Sequence, residues 1–414
     1  MTPAPAENRF LGLRFPPLVW MMLVGTLVTR TAFFMVWPFL AVILARDFHL
    51  PPARVGLIVG AAFLTSGLVG FYSGNLSDRF GRRRVMTAGC VGAVGAYVLM
   101  ATAESVVAYA AGSVLVGLTR AALESPGGAL IGDQIEDTAT RQLALHVRYF
   151  LINLGGAVGP LAGLFFGLSA RQSTFWVTAA VYLVYMILLD GAFRRSPEVV
   201  HPEARARASM RVALGVLRRD RRFLLLVAAN FLTIGAYAQQ ESTLVQYLGM
   251  AGTTRGVGLV TALLMTNAVT IIVFQFPLLR LLERYGLYAR TYIGLTLFGA
   301  AFLAYAVLPV TRMLPWVVVT WVLSVGEAIV FPTLQLQTDS QAHGALRGSY
   351  FGAAALGGLG FGVGPIVGGY LLGRVGGGWT FALTALSVGF CGLCYWQSSR
   401  CGTPTGPSET VTVS

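Results

Sequence analysis

Lysine is absent from this chain: all 30 of its basic residues are arginines. A Walker-type phosphate loop needs a lysine on the phosphates, so the chain holds no ATPase of that kind. A lysine Schiff base is excluded on the same ground. Charge of either sign is scarce, at 11% of residues, where a soluble domain carries about 25%. Cysteine is scarce too. Of the four, Cys90, Cys391 and Cys394 fall in apolar stretches and Cys401 in the tail. Cys391 and Cys394 make a C-x-x-C, but without a second ligand pair they read as small core residues. His49, His146, His201 and His343 fall at expected loops or helix ends, with no metal-ligand spacing among them. Neither a metal nor a cofactor is expected.

Apolar sequence is what the chain has in quantity. Hydrophobic residues make up 55% of its 414 positions, and mean hydropathy is +0.69. A bilayer crossing takes about 20 apolar residues. Twelve such spans are expected, at 16–45, 54–77, 85–103, 107–131, 142–168, 172–193, 222–248, 257–282, 288–309, 313–338, 345–373 and 377–398. The first lacks a cleavage site followed by soluble sequence, so a retained anchor is expected. The chain reads as an all-α membrane protein.

The connector 194–221 is the long one, with nine arginines at 194–222 against Glu198, Glu203 and Asp220. It divides the chain into 1–193, a bundle of six helices, and 222–414, a second bundle with a short tail. With the N-terminus inside, the inner segments carry about 21 arginines and the outer ones six: Arg46, Arg54, Arg171, Arg255, Arg312 and Arg374. Arginine excess marks the cytoplasmic side. The reading is therefore a multi-pass protein of the plasma (inner) membrane, with both termini and the connector in the cytoplasm. The basic connector is expected to meet anionic membrane lipid, not nucleic acid. Trp176, Trp316 and Trp379 are expected at the outer interface, and Trp20 and Trp396 at the inner one.

The halves repeat one another. Asp78-Arg79-Phe80-Gly81 returns as Glu283-Arg284-Tyr285-Gly286, and Gly159-Pro160-x-x-Gly163 as Gly364-Pro365-x-x-Gly368, each 205 residues on. Pro126, Asp133 and Arg141 return as Pro332, Asp339 and Arg347, 206 residues on. Such a duplication predicts pseudo-symmetric bundles with a site at their interface.

Two motifs stand out. Gly74-Asn75-Leu76-Ser77-Asp78-Arg79-Phe80-Gly81-Arg82-Arg83-Arg84 joins the second and third spans. Its glycines allow close contact and a tight turn, and Asp78 is a lone carboxylate among arginines. The fifth and eleventh spans carry Gly155-x-x-x-Gly159-Pro160-x-x-Gly163 and Gly360-x-x-x-Gly364-Pro365-x-x-Gly368-Gly369. Small residues there let helices touch, and each proline adds a bend.

The first motif resembles the loop between helices 2 and 3 of the major facilitator superfamily at every defining position. The resemblance extends over the whole chain and is nearest to bacterial twelve-helix, proton-coupled multidrug efflux proteins. It implies a secondary transporter, not an enzyme, with Gly74, Asp78, Arg79, Gly81 and Arg82 gating the outward-facing state. In the family the glycine-proline motif goes with exporters, and Arg120 matches an arginine linked to proton coupling. Glu124 departs from the family by replacing a glycine. In the second copy of the gate motif, Pro277 and Glu283 replace Gly and Asp, so an asymmetric gate is expected.

Five charges stand well inside predicted spans: Arg30, Arg120, Glu124, Glu241 and Glu327. Each costs about 2.5–3.5 kcal/mol at a helix centre, which function or pairing must offset. They fall on the first, fourth, seventh and tenth spans, the cavity-lining helices of the family's fold. Arg120 and Glu124 share a helix face, as do Tyr237 and Glu241. With Tyr237 and Gln240 they form the candidate substrate and proton site. The aromatics Phe33, Phe34, Trp37, Tyr149, Phe150, Tyr350 and Phe351 suit an amphipathic cargo. Export of a small molecule against protons by a monomer is the expected function. Uptake of a zwitterionic or anionic solute, or a receptor role without transport, are its alternatives.

Overall fold

The computed structural model describes residues 8–10, 13–196, 215, 220–249, 254–341 and 353–400. Most of the basic connector, Arg347, Tyr350 and Phe351 lie outside the described residues. So do the side chains of Asp78 and Asp339.

The described chain is helical, apart from two three-residue strands before the first crossing. These are β1 (Asn8–Phe10) and β2 (Leu13–Phe15), paired antiparallel with Arg9 opposite Arg14. The hydropathy pattern gave no sign of this short ladder. The helices follow as α1 (Pro17–Asp47), α2 (Pro52–Phe80), α3 (Arg82–Ala101), α4 (Val106–Gln134), α5 (Thr138–Phe165) and α6 (Thr174–Arg195). The second half holds α7 (Arg221–Glu241), α8 (Thr243–Gly249), α9 (Thr254–Leu282), α10 (Leu287–Val307), α11 (Met313–Gln341) and α12 (Gly360–Arg400). A 3-10 turn, Ala355–Leu359, leads into α12.

Among the described residues, eleven stretches are long and apolar enough to cross a membrane. The last, Ala355–Arg400, has 46 residues, about 69 Å of helix against a hydrocarbon core of about 30 Å. Gly376 breaks it, with φ 78° and ψ 173°. It therefore holds two crossings, and the total is twelve. The seventh crossing is also broken. Ser242 leaves helical geometry (φ −124°, ψ −66°) and separates α7 from α8.

Polar residues start several helices. Ser105, Asp137 and Asp220 each accept a hydrogen bond from the backbone N–H three residues on, at 3.2, 2.7 and 2.9 Å, which satisfies a donor the helix cannot. Of the tryptophans expected in an aromatic belt, Trp176, Trp379 and Trp396 are exposed. Trp316 is not. That ring is fully buried on Tyr305, and its indole N–H donates to Pro309 O at 3.0 Å. Cys90, Cys391 and Cys394 are buried and free.

Helices α1–α6 pack as one bundle and α7–α12 as another. The glycine-proline motifs set close helix contacts. A Cβ on Gly155 would come within 2.7 Å of Arg30 Cβ, and one on Gly159 within 2.5 Å of Thr31 O. The motif thus presses α5 onto α1 beside Arg30. In the second half, a Cβ on Gly364 would lie 2.6 Å from Gly235 O, and one on Gly368 would overlap Gln239 and Thr243. That presses α12 onto α7, just before Glu241. Between bundles, α2 meets α12 and the 3-10 turn before it, from Pro52 against Gly369 to Gly67 against Leu359, and Val42 of α1 meets Gly249. Across the same interface α5 meets α9.

Candidate transport site

Four charged side chains gather inside the first bundle. Arg120 Nε donates to Glu124 Oε1 at 2.6 Å, one turn along α4. Arg30 reaches the same oxygen from α1. Arg148 of α5 donates through Nη2 to the backbone oxygen of Glu124 at 2.8 Å. One glutamate thus ties together α1, α4 and α5. The pairing of Arg120 with Glu124 follows from their spacing. Arg30 joining them is a tertiary contact, made possible where Gly155 lets the helices approach.

These charges line a cavity bounded by Thr29, Phe33, Met86, Tyr182 and Tyr185, among others. The arginines also lie on rings. The Arg120 guanidinium carbon is 5.3 Å from the Phe33 ring centre and 5.6 Å from that of Phe63, and Arg30 lies 5.8 Å from Phe33. Such contacts hold a desolvated cation in place.

The second bundle supplies carboxylates with neutral partners. Tyr237 Oη donates to Glu241 Oε1 at 3.4 Å. Glu327 is 8% exposed and accepts from Asn267 Nδ2, which also reaches Ser324 Oγ at 3.0 Å. Among the described residues neither glutamate has an arginine within ion-pair distance. The site is therefore bipolar, with an excess of arginine over acid in the first bundle and acids alone in the second.

A chain of rings crosses the same interface. Phe33 stacks on Trp37 at 5.2 Å, Trp37 meets Phe63 at 5.5 Å, and Phe63 stacks on Phe361 of α12 at 5.8 Å. Phe361 meets Tyr237 edge-on, also at 5.8 Å. Of the other aromatics named from sequence, Tyr149 and Phe150 flank a cleft between α5 and α9, facing Ile271 and Gln275. Phe34 packs edge-on against Phe33.

Arg30, Arg120, Glu124, Glu241, Glu327 and Tyr237 are thus brought to one interface. Gln240 is not. It is buried toward a separate apolar cavity beside Leu244 and Leu263. Two residues of the cluster escaped the sequence reading. Arg148 lies within the expected span 142–168, and α5 carries it to the cavity. Asn267 is neutral, so no hydropathy penalty marks it. Its place in an apolar helix was the only available signal.

The loop between α2 and α3 turns at Gly81, whose φ of 90° suits glycine. Arg82 is buried, donating to Asp133 at the end of α4 at 2.9 Å and to Ser77. Arg83 donates to Asp190 of α6 at 2.8 Å, and Arg194 shares that carboxylate at 2.9 Å. Arg82 and Arg83 thus pin the loop to α4 and α6. Arg79 is exposed and lies over the Phe80 ring at 5.3 Å. Gly74 and Asp78 fall within the last two turns of α2. The repeat of this loop is built differently, with Arg290 donating to the backbone oxygens of Glu283 and Tyr285, each at 2.9 Å.

Twelve crossings in two like bundles, with opposed charges buried at their interface, define a membrane transporter. The chain belongs to the Major Facilitator Superfamily, whose profile it matches over residues 22–358. It is 29% identical over 389 residues to the uncharacterised transporter YqjV of Bacillus subtilis, covering 92% of this chain and 94% of that one. It is 25% identical over 385 residues to the multidrug resistance protein MdtH of Klebsiella pneumoniae, covering 91% and 88%. The fold is also that of the nucleoside transporter NupG, with a TM-score of 0.80 at 13% identity over 92% of this chain and all of that one.

Proposed function

We propose that the protein is a proton-coupled exporter, an antiporter of small amphipathic or drug-like molecules, working as a monomer by alternating access. The observation that carries this reading is the charge arrangement. Glu124 is clasped by Arg30 and Arg120, while Glu241 and Glu327 have neutral partners in the other bundle. A buried carboxyl favours its neutral form, and a neighbouring arginine favours the charged one. A proton arriving at Glu124 loosens its hold on both arginines. Arg120 is then free to turn toward Glu241 in the other bundle, so proton loading biases how the bundles meet. Similarity to a multidrug resistance protein supports export. Arginine placement supports a plasma-membrane orientation with both termini in the cytoplasm. Gly74, Asp78, Arg79, Gly81 and Arg82 form the gate at that face, held to the first bundle through Asp133.

The test is flux in proteoliposomes under an imposed pH gradient, with the cargo chosen from a growth screen of overexpressing cells against toxic compounds. Glu124→Gln, Glu241→Gln and Glu327→Gln should not all keep gradient-driven flux. If all three do, coupling lies elsewhere. The bipolar site also accommodates a second reading, uptake of a small zwitterion with protons. Cargo moving with the proton instead of against it would establish that alternative.

A further inference from the structure

The cavity inside the first bundle has more positive charge than its own carboxylate neutralises. Arg30, Arg120 and Arg148 line it, with Glu124 as the sole acid among the lining residues. Glu241, across the interface, is a further carboxylate that acts on Arg30 and Arg120. Even with Glu241 counted, three guanidiniums face two carboxylates. An uncompensated charge in a low-dielectric interior is costly, and buried ions are ordinarily paired.

The polar groups show where a counter-charge belongs. Arg148 spends Nη2 on the backbone oxygen of Glu124, but its Nε is shut off from the surface and has no hydrogen-bond partner among the described residues. A guanidinium offers paired N–H groups that fit the two oxygens of a carboxylate or phosphate. The remaining wall is apolar: Met22, Phe33, Met86 and Leu123. An occupant that satisfies both parts has an oxyanion head and an apolar body.

We infer that the first-bundle cavity is an oxyanion subsite, formed by Arg148 with Arg30 and Arg120, and that it selects amphipathic organic anions. The anion meets the guanidinium of Arg148, and its apolar part lies on the methionines and Phe33. This rests on the reading of the cavity as the cargo chamber and narrows the class of cargo. The same chemistry can come from a soluble carboxylate or from a lipid phosphate.

The test uses the full-length protein purified in neutral detergent and three probes of matched shape: 4-phenylbutyrate, 4-phenylbutylamine and 4-phenylbutanol. Saturable thermal stabilisation by the carboxylate, above that by the alcohol and the amine, is the expected result. Arg148→Met should weaken apparent affinity for the carboxylate roughly tenfold, the equivalent of one charge-assisted hydrogen bond. Arg148→Lys should keep part of it. Equal or better stabilisation by the amine or the alcohol overturns the inference, whether or not the variants fold. So does unchanged carboxylate affinity in a folded Arg148→Met. A parallel titration with phosphatidylglycerol and phosphatidylcholine separates the sources. Competition with 4-phenylbutyrate by the anionic lipid alone supports the subsite and assigns it to a headgroup. Binding is read here without transport. A carboxylate that binds but is never moved sinks the carrier reading and leaves the subsite. An amine that binds better sinks the subsite and leaves the carrier reading.

Discussion

Glu124 concentrates the chemistry of this protein. Its Oε1 holds arginines from two helices, and its backbone oxygen holds a third from α5. Removing one member of a buried charge pair costs about 3–5 kcal/mol, but 36% exposure of the Glu124 side chain reduces that figure. Glu124→Gln is expected to lower the thermal midpoint in detergent. Combining it with Arg120→Gln should recover part of the loss, with a coupling of about 0.5–3 kcal/mol in a double-mutant cycle. Simple additivity would mean the two side chains do not act as a pair. Arg82 is the counterpart at the α2–α3 turn, buried and bonded to Asp133 and Ser77. Arg82→Gln should destabilise the first bundle by about 2 kcal/mol or more. Arg79→Gln removes only an exposed charge and should leave the midpoint within about a degree, since surface substitutions rarely exceed 0.5 kcal/mol. A melt comparison of the two variants checks both statements.

At the scale of elements, the repeated glycine-proline motif acts as a spacer. It brings α5 onto α1 at Arg30, and α12 onto α7 just before Glu241. The same device thus positions an arginine in one bundle and an acid in the other. A side chain at Gly159 or Gly364 must displace backbone, and overpacking costs about 1–3 kcal/mol. Gly159→Val should therefore misplace Arg30, and Gly364→Val should misplace Glu241, with loss of flux in both. If folded Gly159→Val protein retains normal flux, helix spacing there does not set the site. The breaks in helices have local causes. Gly376 takes a positive φ between two crossings, and Ser242 interrupts the seventh crossing one residue after Glu241.

For the whole molecule, the ring chain from Phe33 to Tyr237 matters because it spans both bundles and passes under Arg120. Alternating access requires such contacts to part. Phe63→Cys with Phe361→Cys, in a chain freed of its native cysteines, should therefore crosslink with a short thiol reagent. The crosslink should arrest flux, and reduction should restore it. Undiminished flux through crosslinked protein would mean that this seam stays shut throughout the cycle.

Much of this was legible in the sequence. Apolar runs and scarce charge determined that the chain is a membrane helix bundle, because burying a backbone in lipid leaves helices as the solution for such segments. Motifs repeated at a spacing of about 205 residues told of two like halves, and the i,i+4 rule told that Arg120 faces Glu124 and Tyr237 faces Glu241. These are facts of period and composition, carried by neighbours along the chain. Only the tertiary structure decided that Arg30 and Arg120 share one oxygen of Glu124, that Arg148 and Asn267 join the site, that Gln240 turns away, and that Trp316 is core. Helical periodicity assigns a residue to a face but does not say which helix that face meets. That is settled by packing between segments distant in sequence, where a few glycines set how closely the charges can approach.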